Sequence, residues 1–253
     1  MKHVALWGPT SSGKTVWLAQ IYIRIQSLKT DWKIFVASKE TQTFIEGMRE
    51  LVVTKREFPL GTAQGLVQKI GYEFEHPAYP ERHLLFTEDR AGLVSETLNE
   101  AELGAFTNAD GLILLLDTQR KNFVNEVQCA LERFYRSAVE TGKRKDNRPV
   151  AFCLSKADLL IRTVQDLEYA LAQPDAFVRE QLDAELLGWI RQFCGERYAF
   201  FPVSSVGVRL DFGLVRSAVF YDERLRLRLT GDGVPIHLLT PYEWLFKELE
   251  QQK

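Results

Sequence analysis

The chain is expected to fold as an α/β protein: a mostly parallel sheet with helices on both faces, one antiparallel hairpin strand and a C-terminal extension. Three observations predict this. Segments of helical periodicity alternate with short apolar runs along most of the 253 residues. Two of those runs, Gly111 to Leu116 and Val150 to Leu154, are continuously apolar, as strands buried on both faces of a parallel sheet are. A G-x-x-x-x-G-K-T sequence, Gly8 to Thr15, lies between the first apolar run and the first helical segment.

The elements follow in order. Val4 to Trp7 reads as a strand, and Val16 to Ile25, free of Gly and Pro, as a helix. Trp32 to Ala37 reads as a strand, and Thr41 to Val53 as a helix with apolar residues near every third or fourth position. Phe58 to Gly65 is a loop by its Pro and Gly content. Ile70 to Phe74 and His83 to Thr87 read as the arms of a hairpin whose turn, His76 to Arg82, contains two prolines. Asp89 to Gly104, polar with interspersed Leu, suits a mobile loop and a short helix.

Beyond the strand Gly111 to Leu116, Phe123 to Val139 reads as a helix and Gly142 to Arg148 as a charged loop. Leu167 to Phe193 carries helical periodicity interrupted near Pro174, and Ala199 to Val203 is the next strand. Arg224 to Leu229 alternates Arg and Leu, which predicts a strand with one basic and one apolar face. Thr240-Pro241-Tyr242-Glu243 opens a final helix, with Thr240 as N-cap, Pro at the first helical position and Glu at the third. No repeat, low-complexity tract or linker divides the chain. Residues 1–253 therefore read as one domain, with a core of about 2–208 and an extension of about 209–253.

Composition narrows the function classes. The net charge of −2 gives no whole-chain reason to expect nucleic acid or a membrane surface as a partner. Cys129, Cys153 and Cys194 are widely spaced and form no C-x-x-C pair, which argues against a disulfide framework or a zinc site. No apolar run is long enough to span a bilayer, and the residues before the glycine-rich loop are too few for a signal peptide core. A soluble, cytoplasmic protein is expected.

The run Gly8 to Thr15 carries the clearest chemistry. Glycines let a backbone wrap closely around a polyphosphate. The successive amides through Ser11, Ser12 and Gly13 make an anion nest at the positive end of the helix that follows. Lys14 neutralises the outer phosphates, and the Thr15 hydroxyl is a candidate Mg²⁺ ligand.

Three further signals refine this. Asp89-Arg90-Ala91-Gly92 follows a strand, where such enzymes need an acid to hold a water ligand of Mg²⁺. Asp89 is the candidate, Glu88 beside it the alternative, and the Gly92 amide can reach a γ-phosphate. Ser155-Lys156-Ala157-Asp158 resembles the guanine-reading N-K-x-D motif, with Ser in place of Asn. A carboxylate there accepts from N1–H and N2–H₂ of guanine, a pair adenine does not offer, and the Lys156 stem can lie along the base plane. The plainer reading makes Asp158 a helix cap. Val203-Ser204-Ser205-Val206-Gly207 resembles the S-A-K/L-type loop whose amides, here of Ser204 and Ser205, touch the guanine O6.

In this order the motifs resemble the Ras-like, translation-factor-related class of P-loop GTPases, over about Lys2 to Val208. More narrowly, G-P-T-S-S-G-K-T-V-W-L-A-Q-I-Y, the F-P-x-G-T loop and T-P-Y-E-W-L are similar to the bacterial double-GTPase proteins of conflict-type operons. The resemblance implies a P-loop NTPase fold of the Ras-like G-domain type, GTP/GDP and Mg²⁺ as cofactors, GTP hydrolysis, and a regulated or activating protein partner. It also implies a threonine that binds Mg²⁺ and the γ-phosphate: Thr62, with Thr54 as rival.

Two departures accompany it. Many members carry Gln after D-x-x-G to orient the attacking water, whereas this chain has Leu93, whose side chain forms no hydrogen bond. Hydrolysis is then slow until a partner supplies groups, an arginine finger being worth about 10³–10⁵ in rate, or Glu96 substitutes. Ser155 for Asn weakens the case for guanine over other purines. Three functions stay open: a slow GTPase switch, a nucleotide-dependent interaction module without useful hydrolysis, and an ATP-using P-loop enzyme. Trp7 and Trp17 are expected to be core residues. The Arg224, Arg226 and Arg228 face is either the charged face of an edge strand or a contact for an acidic partner.

Overall fold

A computed structural model of the chain describes residues 1–9, 11–27, 30–58, 67–90, 108–140 and 147–251. The main sheet has seven strands: β1 (Lys2–Trp7), β2 (Lys33–Val36), β3 (Val67–His76), β4 (Tyr79–Arg90), β5 (Gly111–Leu116), β6 (Val150–Leu154) and β7 (Tyr198–Pro202). Their spatial order is β2-β3-β4-β1-β5-β6-β7. From β4 to β7 every neighbour pair is parallel, while β3 runs antiparallel to both β4 and β2. This is the expected mostly parallel sheet with one antiparallel hairpin, and it matches a P-loop GTPase fold.

Seven α-helices stand among the described residues: α1 (Lys14–Ser27), α2 (Lys39–Arg49), α3 (Phe123–Glu140), α4 (Val164–Ala172), α5 (Pro174–Gln181), α6 (Ala184–Phe193) and α7 (Thr240–Glu250). The period-two alternation of the strands divides them between two faces. Leu112, Leu114 and Leu116 join Phe152, Leu154 and Phe200 in a cluster with Val127 and Leu131 of α3, Val178 of α5 and Ile190 of α6. Ile113 and Leu115 join Ala151, Cys153 and Phe201 in the other cluster, with Trp17 and Ile21 of α1, Ile45 of α2 and Tyr242, Leu245 and Phe246 of α7. Leu245 and Phe246 are fully buried, and each such side chain contributes about 1.5–3 kcal/mol. The C-terminal helix is thus core, packed beside α1.

Between β7 and α7 the chain builds a second, smaller β region. β8 (Ser204–Asp211) lies between β9 (Leu214–Ser217) and β12 (Val234–Ile236), and β10 (Val219–Tyr221) pairs with β11 (Leu227–Leu229). Leu229 of β11 packs with Ala19 of α1, Met48 of α2 and Val52 just beyond α2.

Several local expectations change. The hairpin turn is only Pro77-Ala78, because Tyr79 to Arg82 already pair across to β3 or extend β4. Strand β4 runs on to Arg90, so Asp89 lies within a strand, opposite Gln68, rather than in a loop after one. The segment from Ser204 is strand β8, not a loop. Arg224 to Leu229 is strand only at its end, because the Asp222 carboxylate captures the amides of Arg224 and Arg226 in a turn. The helical stretch after Thr163 is three helices. A Thr163–Asp166 capping box starts α4, Pro174 opens α5, and the Asp183 side chain accepts from Leu186 N at the start of α6. Thr240 is the first residue of α7, and Leu239 its N-cap.

Candidate functional site

The glycine-rich loop leaves the C-terminal end of β1, the middle strand of the seven-stranded sheet, and enters α1 at Lys14. Its backbone permits only particular residues. A Cβ on Gly8 would stand 2.7 Å from Ser12 Oγ and 2.8 Å from Leu115 Cβ, so the loop closes against β5 only with glycine there. Gly13 has φ +93°, a conformation L side chains rarely adopt. It precedes the amino end of a 14-residue helix with no acid in its first turn, a setting that favours an anion.

The side chains agree with this. Lys14 is 8% exposed and its Nζ donates to the carbonyls of Gly8 (2.5 Å) and Pro9 (3.1 Å), which folds the ammonium over the loop. The Ser12 amide donates to Pro9 O at 3.1 Å, tightening the turn, and Ser11 is held at φ 65°. Ser12 Oγ is buried with no hydrogen-bond partner among the described residues. A buried hydroxyl without a partner costs free energy, which a polyphosphate oxygen in the loop would return. Thr15 is half-buried in the first turn of α1. Trp17 is core, as expected, its Nε1 donating to Leu238 O at 3.2 Å, and Trp7 packs partly buried against the first cluster.

The second part of the site lies at the ends of the neighbouring strands β5, β6 and β7, the edge at which open α/β sheets bind ligands. Ser155 directly follows β6. Its amide and its hydroxyl both donate to Leu116 O, at 2.8 and 3.1 Å, tying the turn to β5. Lys156 then adopts the left-handed conformation (φ 58°). Its Nζ pairs at 2.7 Å with Asp117 Oδ2, a carboxylate with no exposed side-chain surface at the end of β5. Asp117 also accepts from Gln119 N at 3.2 Å.

Ala157–Leu159 forms a 3₁₀ turn in which Asp158 is 6% exposed. Asp158 Oδ1 accepts from Ser204 Oγ and Oδ2 from Ser217 Oγ, each at 2.5 Å. Both hydroxyls are oriented in turn, Ser204 Oγ by Gly207 N (2.9 Å) and Ser217 Oγ by Val219 N (3.1 Å). An ionised carboxylate has about four acceptor positions, so one on each oxygen is left for a ligand. The structure thus brings Ser155, Lys156, Asp158 and Ser204 together. Ser205, half-buried on β8, follows directly. β6 lies two strands from β1, about 10 Å at ordinary strand spacing.

The remaining candidates divide. Strand β4 pairs with β1 as far as Phe86 opposite Ala5, and Glu88 and Asp89 follow within β4. Thr54 is exposed at the end of the π-helical turn Glu50–Thr54. Thr62, Gly92, Leu93 and Glu96 lie outside the described residues.

Of the basic face foreseen at Arg224, Arg226 and Arg228, the guanidinium groups of Arg226 and Arg228 are tied up internally. Asp222 Oδ2 accepts from Arg226 and Arg228 at 3.0 Å, and Arg228 also pairs with Glu57 at 2.6 Å. The Arg226 amide, with these guanidinium bonds, holds the Asp222 carboxyl well below the usual carboxylate range.

Two residues of the site escaped sequence reasoning. Asp117 ends the most apolar run of the chain, a signal visible but not used. Ser217 gave none, because it reaches Asp158 from β9, 59 residues away.

The model of the Double-GTPase 2 family matches residues 2–205. No curated protein matches the chain significantly. The match runs from the first strand through the glycine-rich loop, the Ser155–Asp158 turn and Ser204.

Proposed function

We propose, from the premise that this chain belongs to the Double-GTPase 2 family, that it is a guanine-nucleotide switch that hydrolyses GTP slowly with Mg²⁺ and regulates a protein partner. Family membership implies a GTP-binding P-loop protein. The finer reading rests chiefly on one observation: the buried Asp158 carboxylate keeps one acceptor position on each oxygen at the strand ends beside the phosphate loop.

In this reading the backbone N–H groups of the Gly8 to Thr15 loop, in which Pro9 has none, and the Lys14 ammonium bind the phosphates. Asp158 reads N1–H and N2–H₂ of the base, and the Ser204 and Ser205 amides face its O6. Thr15, Thr62 and Asp89 are the residues that would hold Mg²⁺, which supplies charge neutralisation at the β- and γ-phosphates. Gly92 and Thr62, which lie outside the described residues, are the residues that would sense the γ-phosphate. The chain acts as one domain, a reading supported by the burial of α7 against α1. Three free cysteines, one exposed and two buried, support a reducing, cytoplasmic setting.

A competition titration with Mg²⁺ tests this: GTP and GDP are expected to displace a labelled guanine nucleotide, and ATP to fail. Lys14→Ala should abolish binding of both guanine nucleotides. Asp158→Asn should weaken GTP by more than tenfold while leaving ATP unchanged. Equal competition by ATP would overturn guanine reading. Leu93 favours a second reading, a nucleotide-dependent interaction module without turnover. Phosphate release in a single-turnover assay, with and without cell extract, separates the two.

A further inference from the structure

We infer that Ser217, on a strand well outside the nucleotide-binding motifs, is a specificity-determining positioning residue for the base site. It would aim the Asp158 carboxylate at a guanine. The inference deepens the proposed reading and rests on it.

A carboxylate reads two adjacent donors only if its plane is fixed, because rotation about the Cβ–Cγ bond is soft. Ser204 alone holds Oδ1 and leaves that rotation open. Ser217 Oγ, on Oδ2 at the same 2.5 Å, closes it, so the carboxylate is gripped at both ends. The grip is itself directional. Val219 N donates to Ser217 Oγ, which leaves the hydroxyl proton for Asp158, and Gly207 N does the same for Ser204.

The support behind Ser217 is stiff. Ser217 pairs with Val208 across β8–β9, Ala218 N donates to Gly207 O at 3.0 Å, and Val215 is buried in the core. β12 presses so closely on β8 that a Cβ on Gly207 would stand 2.2 Å from the Val234 carbonyl carbon. Thus the small sheet β12-β8-β9 reaches the base site through two side chains, Ser204 at the start of β8 and Ser217 at the end of β9. The consequence is selective: loss of Ser217 should affect reading of the purine's 1 and 2 positions, not phosphate binding at Lys14.

The experiment measures equilibrium affinity of the full chain for GTP, ITP and ATP with Mg²⁺, for wild type, Ser217→Ala and Ser217→Thr, alongside melting temperature without nucleotide. ITP lacks only the 2-amino group of GTP, so the GTP/ITP ratio reports whether a carboxylate oxygen faces that group. Ser217→Ala is expected to weaken GTP about tenfold and to bring the GTP/ITP ratio towards one. ATP affinity should not change, and Ser217→Thr, which keeps the hydroxyl, should restore the ratio. Unchanged GTP affinity in Ser217→Ala would overturn the inference. So would a uniform loss for all three nucleotides together with a lowered melting temperature, the mark of a purely structural residue. A wild type that fails to prefer GTP to ATP would refute guanine reading itself, and the inference with it.

Discussion

Replacing Lys156 by Met tests whether the Asp117–Lys156 pair holds the turn that carries Asp158. Met keeps the length of the side chain and pays the same left-handed backbone cost at φ 58°, so the comparison isolates the charge. The substitution leaves Asp117, with no exposed side-chain surface, without its paired ammonium, while the Arg120 guanidinium still acts on it electrostatically. Asp117 keeps the hydrogen bond from Gln119 N, at 3.2 Å. Removing one partner of a buried pair costs about 3–5 kcal/mol. Lys156 keeps 35% of its side chain exposed, so its ammonium is only partly desolvated. That places the loss near the lower limit, about 3 kcal/mol.

For a chain of this size each kcal/mol shifts the melting temperature by about 2–4 °C, giving about 6–12 °C in all. The assay is urea unfolding without nucleotide, which keeps ligand linkage out of the result, with a thermal scan beside it. The double variant Asp117→Leu, Lys156→Met removes both charges and should recover most of the loss. A Lys156→Met protein within about 0.5 kcal/mol of wild type, or a double variant no better than the single, would refute the reasoning.

Other consequences are equally direct. Gly13→Ala, at φ +93°, should lose more than about 1 kcal/mol in nucleotide-free urea unfolding, whereas Gly188→Ala, inside α6 with open space around it, should gain about 0.4–1 kcal/mol. Equal effects at the two sites would contradict the backbone argument. Burial lowers the His237 pKa from 6.5, opposed by the bond of Nε2 to Ala170 O. The unfolded chain therefore takes up a proton before the folded one does, and stability should be full above pH 6.5 and decline as pH falls towards the folded value. Melting temperatures across that range should show a shallower decline for His237→Asn, a residue that tolerates the position's φ of 43°.

Much of the architecture was legible because burial on both faces leaves an unbroken apolar run. Gly111–Leu116 and Val150–Leu154 have the bounds their composition implied. The phosphate loop was legible for a different reason: Gly13 answers to its own backbone conformation and Gly8 in part to Ser12 four residues on, constraints a short motif records, although Leu115 also presses on Gly8. What was missed depends on distant partners. Ser204 to Gly207 looks like turn composition, yet it becomes strand because Gly207 at φ +82° lets β12 lie against it, a contact spanning 27 residues. Glu88 to Arg90 are too polar to suggest a strand, but β3 supplies ladder partners as far as Val67. The alternation of Arg and Leu before residue 229 indicated a strand, and one carboxylate, Asp222, outcompeted it by taking two of its amides. Ser217 had no local signature, since a serine acquires meaning only from the acid it meets.

The helix that begins at the phosphate loop is sandwiched by the last helix: Trp17 lies 5.3 Å, ring to ring, from Tyr242, and the Trp17 indole donates to Leu238. A ribosome makes those two halves more than two hundred residues apart. The packing of Trp17 against Tyr242 therefore forms only once the segment carrying Tyr242 has been synthesised. Truncation ahead of Thr240, or a bulky fusion wedged into that helix, removes the keystone rather than a trailing end.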